Sequence, residues 1–295
     1  KTYFSDIGGR KIPLLQDDVI GTFSTNLYPN ESYYDNASSR MLFDWNYWNI
    51  AYMGRDNVLY KSTDGGASFG PLYTFGTDAT AKVYWIEQSH ANPLVMYVQQ
   101  VVSNVSKLWK TTDGGITFSQ VALPQSKREL YFTLSHTNAD ELWLAFTTGS
   151  NGNKVYTSTN GGTLWTNITS SALNGLSIKS IAHQAGTNGG VYVATFHNAV
   201  YYRSNTNTTW TVVGTGLPAS IYPLRLMPFY QKNKLRLGSW QLGVWEIDLV
   251  EPSAVIADFS SDFSSFTCPG DTLWFVNHSV CDSSATFSWS FPGAT

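Results

Sequence analysis

The chain has 295 residues, of which 13% are charged and 15% aromatic, with 11 Trp and 17 Tyr, so its buried surface comes mainly from large rings on strands. A net charge of −3 and a pI near 5.9, with no Lys/Arg cluster longer than Lys127-Arg128, leave no basic field for phosphates and exclude nucleic acid as a partner. No run of 18 apolar residues occurs, so no segment reads as a membrane-spanning helix, and low charge with abundant Ser, Thr, Asn and Gly fits an exported, extracellular or cell-surface protein.

In chain order, Thr2 to Leu15 reads as inner strands of an incomplete blade. Next comes an aromatic turn, Leu42-Phe43-Asp44-Trp45-Asn46-Tyr47-Trp48-Asn49, with Tyr33-Tyr34 shortly before it. Three copies of one motif follow: Ser62-Thr-Asp64-Gly65-Gly66-Ala-Ser-Phe69, Thr111-Thr-Asp113-Gly114-Gly115-Ile-Thr-Phe118 and Ser158-Thr-Asn160-Gly161-Gly162-Thr-Leu-Trp165. They lie 49 (64 to 113) and 47 (113 to 160) residues apart, and a decayed fourth copy leads from Ser204 to Trp210. Before each copy run alternating strands such as Leu142-Trp-Leu144 and Val191-Tyr-Val193, and Leu235-Arg-Leu237 leads to Val244-Trp245 without a motif. Strand periodicity with glycine punctuation and no ten-residue helical pattern predicts an all-β chain of four-stranded blades, five countable and a sixth partial. A four-stranded sheet that cannot bury its face alone stacks on its neighbours, and the closure this predicts over residues 1–249 is a β-propeller of six or more blades.

The motif resembles the Asp-box (BNR) repeat of sialidases, sortilin-type receptors and xyloglucanase-type glycoside hydrolases. Physically it is a hairpin tip: Asp64, Asp113 or Asn160 accepts from the turn's own N–H groups, Gly66, Gly115 and Gly162 permit positive φ, and Phe69, Phe118, Trp165 or Trp210 anchors the turn between blades. Equivalent turns on a ring point outward at a rim, and the resemblance implies that they lie away from any catalytic face. Asp64 and Asp113 are therefore expected to be structural. The same reasoning treats His90, His136 and His183, in repeat-equivalent positions, as turn-entry residues that diverge from one another, so no metal site is expected; no cofactor is expected either.

The arginines are scattered, without the Arg-Ile-Pro motif of sialidases. A glycosidase needs two carboxylates about 5–9.5 Å apart, but nothing pairs Asp44, Asp56, Glu87, Glu129, Asp140 and Glu141 by spacing. No Gly-x-Ser-x-Gly elbow is present. The remaining ligand candidate is aromatic: Trp45, Tyr47 and Trp48, with Tyr33 and Tyr34, either stack on a sugar or protein partner or fill the space between blades.

Glu251-Pro252-Ser253 breaks the pattern, which makes 250–253 a linker. Residues 254–295 resemble the opening strands of a PKD domain, an Ig-like sandwich of which too few residues remain here. Cys268 and Cys281, with twelve residues between them, suit a short-loop disulfide in an oxidising compartment, or are two buried thiols. The joint resemblance, to large exported surface proteins of Bacteroidetes-like bacteria, implies a non-catalytic module that binds a glycan or a secreted or surface protein. It would act beside further domains of the same polypeptide. The alternatives are a fragment of an Asp-box glycoside hydrolase and a structural spacer.

Overall fold

The computed structural model describes residues 4–5, 11–12, 15–16, 19–20, 41–196, 199–240, 242–262 and 273–290. Among them lie two short strand pairs, β1 (Phe4–Ser5) with β2 (Lys11–Ile12) and β3 (Leu15–Gln16) with β4 (Val19–Ile20). Five antiparallel meanders follow. Blade 1 is β5 (Leu42–Phe43), β6 (Ala51–Arg55), β7 (Val58–Ser62) and β8 (Gly70–Thr74); blade 2 is β9 (Lys82–Gln88), β10 (Met96–Val102), β11 (Val105–Thr111) and β12 (Ser119–Val121). Blade 3 is β13 (Leu130–Leu134), β14 (Leu142–Phe146), β15 (Val155–Ser158) and β16 (Thr166–Asn167). Blade 4 is β17 (Ile178–His183), β18 (Val191–Thr195), β19 (Val200–Arg203) and β20 (Thr211–Gly214), and blade 5 has three strands, β21 (Pro223–Phe229), β22 (Lys234–Ser239) and β23 (Val244–Asp248). The first strands of successive blades run against one another along the inside of the arc. The described residues contain no helix long and apolar enough to cross a membrane.

The second strands explain why the blades stack. Successive side chains of a strand point to opposite faces, and here each face belongs to a different core. In β10, Met96 and Val98 enter the core shared with blade 1 while Tyr97 enters the core shared with blade 3. In β14, Leu142 and Leu144 face blade 2, and Trp143 and Ala145 face blade 4. In β18, Val191 and Val193 face blade 3, and Tyr192 and Ala194 face blade 5. All five residues of β14 and of β18 are buried, so the strands have no solvent side. Among the described residues, one face of blade 5 is uncovered, where Met227, Val244 and Trp245 are exposed.

The repeated turns join third strands to fourth strands. The Ser62 hydroxyl donates to Asp64 Oδ1 at 2.7 Å and accepts Gly66 N–H at 2.8 Å, while Asp64 accepts Ser68 N–H at 2.9 Å and its hydroxyl at 2.6 Å. Thr111, Asp113, Gly115 and Thr117 reproduce this network. In the third copy Asn160 Oδ1 accepts Ser158 Oγ–H at 2.9 Å and Leu164 N–H at 2.9 Å, so acceptance of hydrogen bonds, not charge, is the common requirement. The terminal ring reaches back to the preceding blade: Trp165 Nε1–H donates to Ala122 O at 2.8 Å, Trp210 Nε1–H to Ile168 O at 2.7 Å, and Phe118 packs on Tyr73 and Phe75 with centroids 4.8 and 5.0 Å away.

Gly162 has φ +86°, and a Cβ there would lie 2.4 Å from Val121 Cγ1 and 3.1 Å from the Trp165 ring. Gly216 has φ +82° with nothing within 4 Å of the added carbon. Gly216→Ala should therefore cost roughly 1 kcal/mol of left-handed backbone strain. Gly162→Ala should cost that plus about 1–3 kcal/mol of overpacking. Urea midpoints of the two variants measure the difference, and equal midpoints would show that the turn is not wedged between blades.

Candidate functional site

The inner strands end in one recurrent turn. The residue that closes it by donating to the start of the second strand is Asp44 (to Ile50 O), Ser89 (to Val95 O), Ser135 (to Glu141 O) and Gln184 (to Gly190 O) in blades 1 to 4. The next residue is Trp45, His90, His136 and Ala185. Three of these positions carry rings, and the rings form a column: Trp45 stacks on His90 with centroids 3.7 Å apart, and His90 on His136 at 3.9 Å. The histidines therefore do not diverge as the repeat pattern predicted. Equivalent positions at the rim are held apart by the ring's radius, whereas equivalent positions at the ends of inner strands crowd around its axis. His183 is also not in register with the other two. It lies two residues before Ala185, stacks on Trp143 at 4.6 Å and has Nδ1 2.9 Å from Gly190 O.

The column ends where blade 4 offers Ala185, and a cleft of about 290 Å³ opens there, lined by Trp45, Trp85, Glu87, His90, His136 and Arg225 among others. A neighbouring lobe of about 280 Å³ shares Trp45, Trp85, Glu87 and Arg225 and adds Phe43, Asp44 and Trp48. Trp85 Nε1–H donates to Glu87 Oε1 at 2.8 Å, and the Arg225 guanidinium lies 5.5 Å from the Trp85 ring centre.

The aromatic turn divides by role. Trp45 is fixed by Nε1–H donation to Gln88 O and by its own N–H to Gln88 Oε1, both at 3.0 Å. Tyr47 packs against the core between blades 1 and 2, while Trp48 is 38% exposed and faces the second lobe. Asp44 organises this loop: it accepts from Asn46 N–H, Tyr47 N–H, the Tyr52 hydroxyl and Gln88 Nε2–H at 2.9, 3.1, 3.3 and 2.7 Å. Tyr33, Tyr34 and Cys268 lie outside the described residues, and Cys281 is buried.

The segment after blade 5 crosses the face. Gln184 Nε2–H binds Glu251 O and Ser253 Oγ in the 250–253 stretch, at 2.6 and 2.9 Å. Ala254 N–H donates to Gly186 O at 2.8 Å, an approach so close that a Cβ on Gly186 would lie 2.4 Å from the Ala254 carbonyl oxygen. Further on, Ser261 N–H donates to Asn46 O at 2.8 Å, Trp48 N–H donates to Ser261 O at 3.0 Å, and β24 (Phe259–Ser261) pairs with β25 (Phe275–Asn277). This strap runs from blade 4 to blade 1 and places Asp258 over the ring column. Asp258 Oδ2 lies 3.0 Å from His90 Nδ1 and 3.6 Å from His136 Nε2. Ser260 Oγ is 2.8 Å from His278 Nε2. Sequence reasoning missed Asp258, which carries no motif and comes from outside the repeats. Alignment on the turn-closing residue would have found the ring column.

Burial, reinforced by the nearby His90, pushes the His136 imidazole down to about 4, and burial pushes His183 down to about 4 against its bond to Gly190 O. Burial works to raise Asp258, but the hydrogen bond and charge of His90 hold it below its ordinary value. Between the ordinary histidine value of 6.5 and about 4, the unfolded chain thus binds more protons than the folded one, and acidification favours unfolding. Thermal melts at about pH 7 and about pH 5 should show the lower midpoint at acid pH, with part of the difference lost in His183→Gln. Equal midpoints would show that neither ring is held neutral.

No family model matches the chain. Over 160 residues it is 29% identical to a xyloglucanase of Hypocrea jecorina (strain QM6a), a match covering 53% of this chain and 18% of that protein. Among solved structures, an ancestral GH74 enzyme superposes with a TM-score of 0.57 at 20% identity, covering 72% of this chain and 31% of that one. The GH74 enzyme of Niastella koreensis gives 0.56 at 17%, over 74% and 36%, and the GH74 xyloglucanase of Xanthomonas campestris gives 0.54 at 15%, over 81% and 38%. The fold is a β-propeller. Since the chain spans between 18% and 38% of the length of these relatives, the likeness carries the blade architecture and not a whole enzyme.

Proposed function

We propose that this chain is a propeller portion of an extracellular glycoside hydrolase related to the xyloglucanases, and that the two-lobed cleft on its axial face binds a polysaccharide chain. In this reading the repeated turns are Asp-boxes that serve as rim staples, and residues 254–295 open a PKD-like module that continues into further domains. The observation that carries the proposal is the cleft itself. Trp48 offers a ring face for the C–H faces of sugars, and Glu87 and Arg225, both held against Trp85 at the junction of the lobes, offer groups for hydroxyls. Such a mixture of apolar walls and few polar groups suits a small number of sugar units.

Of the acidic groups around this cleft, Glu87 is the candidate proton donor or acceptor, oriented by Trp85 Nε1–H. Hydrolysis requires a second carboxylate about 5–9.5 Å from the first. Asp44 accepts four hydrogen bonds within its loop, and Asp258 is held against two histidines. This engagement favours a second reading, a non-catalytic glycan-binding face.

Titration with xyloglucan oligosaccharides separates the two. Under the main reading, wild type binds and releases reducing ends, Trp48→Ala weakens binding by about tenfold, a loss of about 1.4 kcal/mol, and Glu87→Gln binds but releases none. Binding without release from wild type selects the second reading. Absence of binding overturns both.

A further inference from the structure

We propose that His90, His136 and Asp258 form a divalent transition-metal site, suited to zinc, that fastens the strap to the propeller axis. One ligand atom from each of the three residues lies within 4.8 Å of the other two, and the nitrogens nearest the Asp258 carboxylate are His90 Nδ1 and His136 Nε2. Around a tetrahedral ion with bonds of about 2.0–2.1 Å, neighbouring ligand atoms are about 3.3–3.4 Å apart. The observed separations of 3.0 and 3.6 Å from Asp258 Oδ2 straddle that edge. A cluster held by hydrogen bonds alone accounts for less of this geometry. The His90 contact is a good hydrogen bond, but 3.6 Å from His136 Nε2 is too long for one, so that nitrogen faces a carboxylate without being bound by it. An ion between the three atoms engages both rings. To admit it, the stacked imidazoles, whose planes are 30° apart, turn their nitrogens toward the carboxylate.

The ligand chemistry agrees. Zinc takes neutral imidazole and ionised carboxylate, and two histidines with one aspartate supply that donor set. Two histidines and one carboxylate leave a fourth position, and the histidines line the larger lobe of the cleft, so water or a ligand oxygen there completes the coordination. Two ligands sit on consecutive blades and the third on the strap, so the ion joins segments that the sequence separates widely. This inference is independent of the glycan reading, because it requires no sugar.

The test is calorimetric titration of the chelator-stripped full chain with zinc chloride, followed by cobalt(II) substitution and visible absorption. One zinc per chain is expected, with the cobalt spectrum of a four-coordinate site and a higher melting midpoint in the loaded protein. His90→Ala, His136→Ala and Asp258→Asn should each weaken binding by at least the about 10–100-fold that loss of a mere supporting partner costs a metal site. His183→Ala, in the same cleft but outside the ligand set, should bind as wild type does. Circular dichroism of each variant without metal separates ligand loss from misfolding. If a variant misfolds, the wild-type cobalt spectrum decides, octahedral water-like absorption counting against the site. No stoichiometric zinc, or zinc binding unchanged in well-folded ligand variants, overturns the proposal.

Discussion

The structure depends on the second strands of blades 2 to 4 having no free face. Because the side-chain period is two, the sequence Leu142-Trp143-Leu144-Ala145 divides between two cores, Leu142 and Leu144 on one side and Trp143 and Ala145 on the other. A single blade would expose one of these sets to water. Burying a large apolar side chain is worth about 1.5–3 kcal/mol, so the second face of each central strand gives every blade a strong reason to have a neighbour on both sides. The rim turns, with their backward-reaching Trp165 and Trp210, hold the stacking angle that this burial demands.

The same rotation has opposite effects at two radii. At the rim, Asp64, Asp113 and Asn160 occupy equivalent turns, each closed on its own backbone and hydroxyl partners. Near the axis, the residues after the turn-closing positions of blades 1 to 3 stack in succession, Trp45 on His90 and His90 on His136. Repetition builds a scaffold at one end of the blade and a constellation at the other, and the chemistry collects where the copies differ. Trp45 gives the column its apolar end, His90 and His136 its polar middle, and Ala185 its gap.

Much of the fold was legible because it is local and repeated. The glycine turns, the alternation of Val191, Tyr192 and Val193, and the spacing of the three motif copies all follow from short-range rules, and they reappear as β18 and its equivalents. The site was less legible. Trp48 stood out as an aromatic in a polar turn, and it does face a cleft. The histidines were visible, but their convergence depends on radius, which spacing along the chain does not encode. His183 mimics its neighbours in sequence while lying two residues out of register. Asp258 was invisible as a partner because its contact with His90 is made across the ring and has no local sequence signature.

The strap that binds Gly186 at one end and Asn46 at the other joins blades 4 and 1 through the last part of the chain. Contacts between such distant positions carry the largest loop-closure entropy and are among the last to pay it back during folding. The blades can nucleate on local hairpins, but the axial face is completed only when the strap lands. The cleft and its histidines are therefore assembled late, and Trp45, beneath the strap and beside His278, is placed to report that final event as a slow change in its fluorescence.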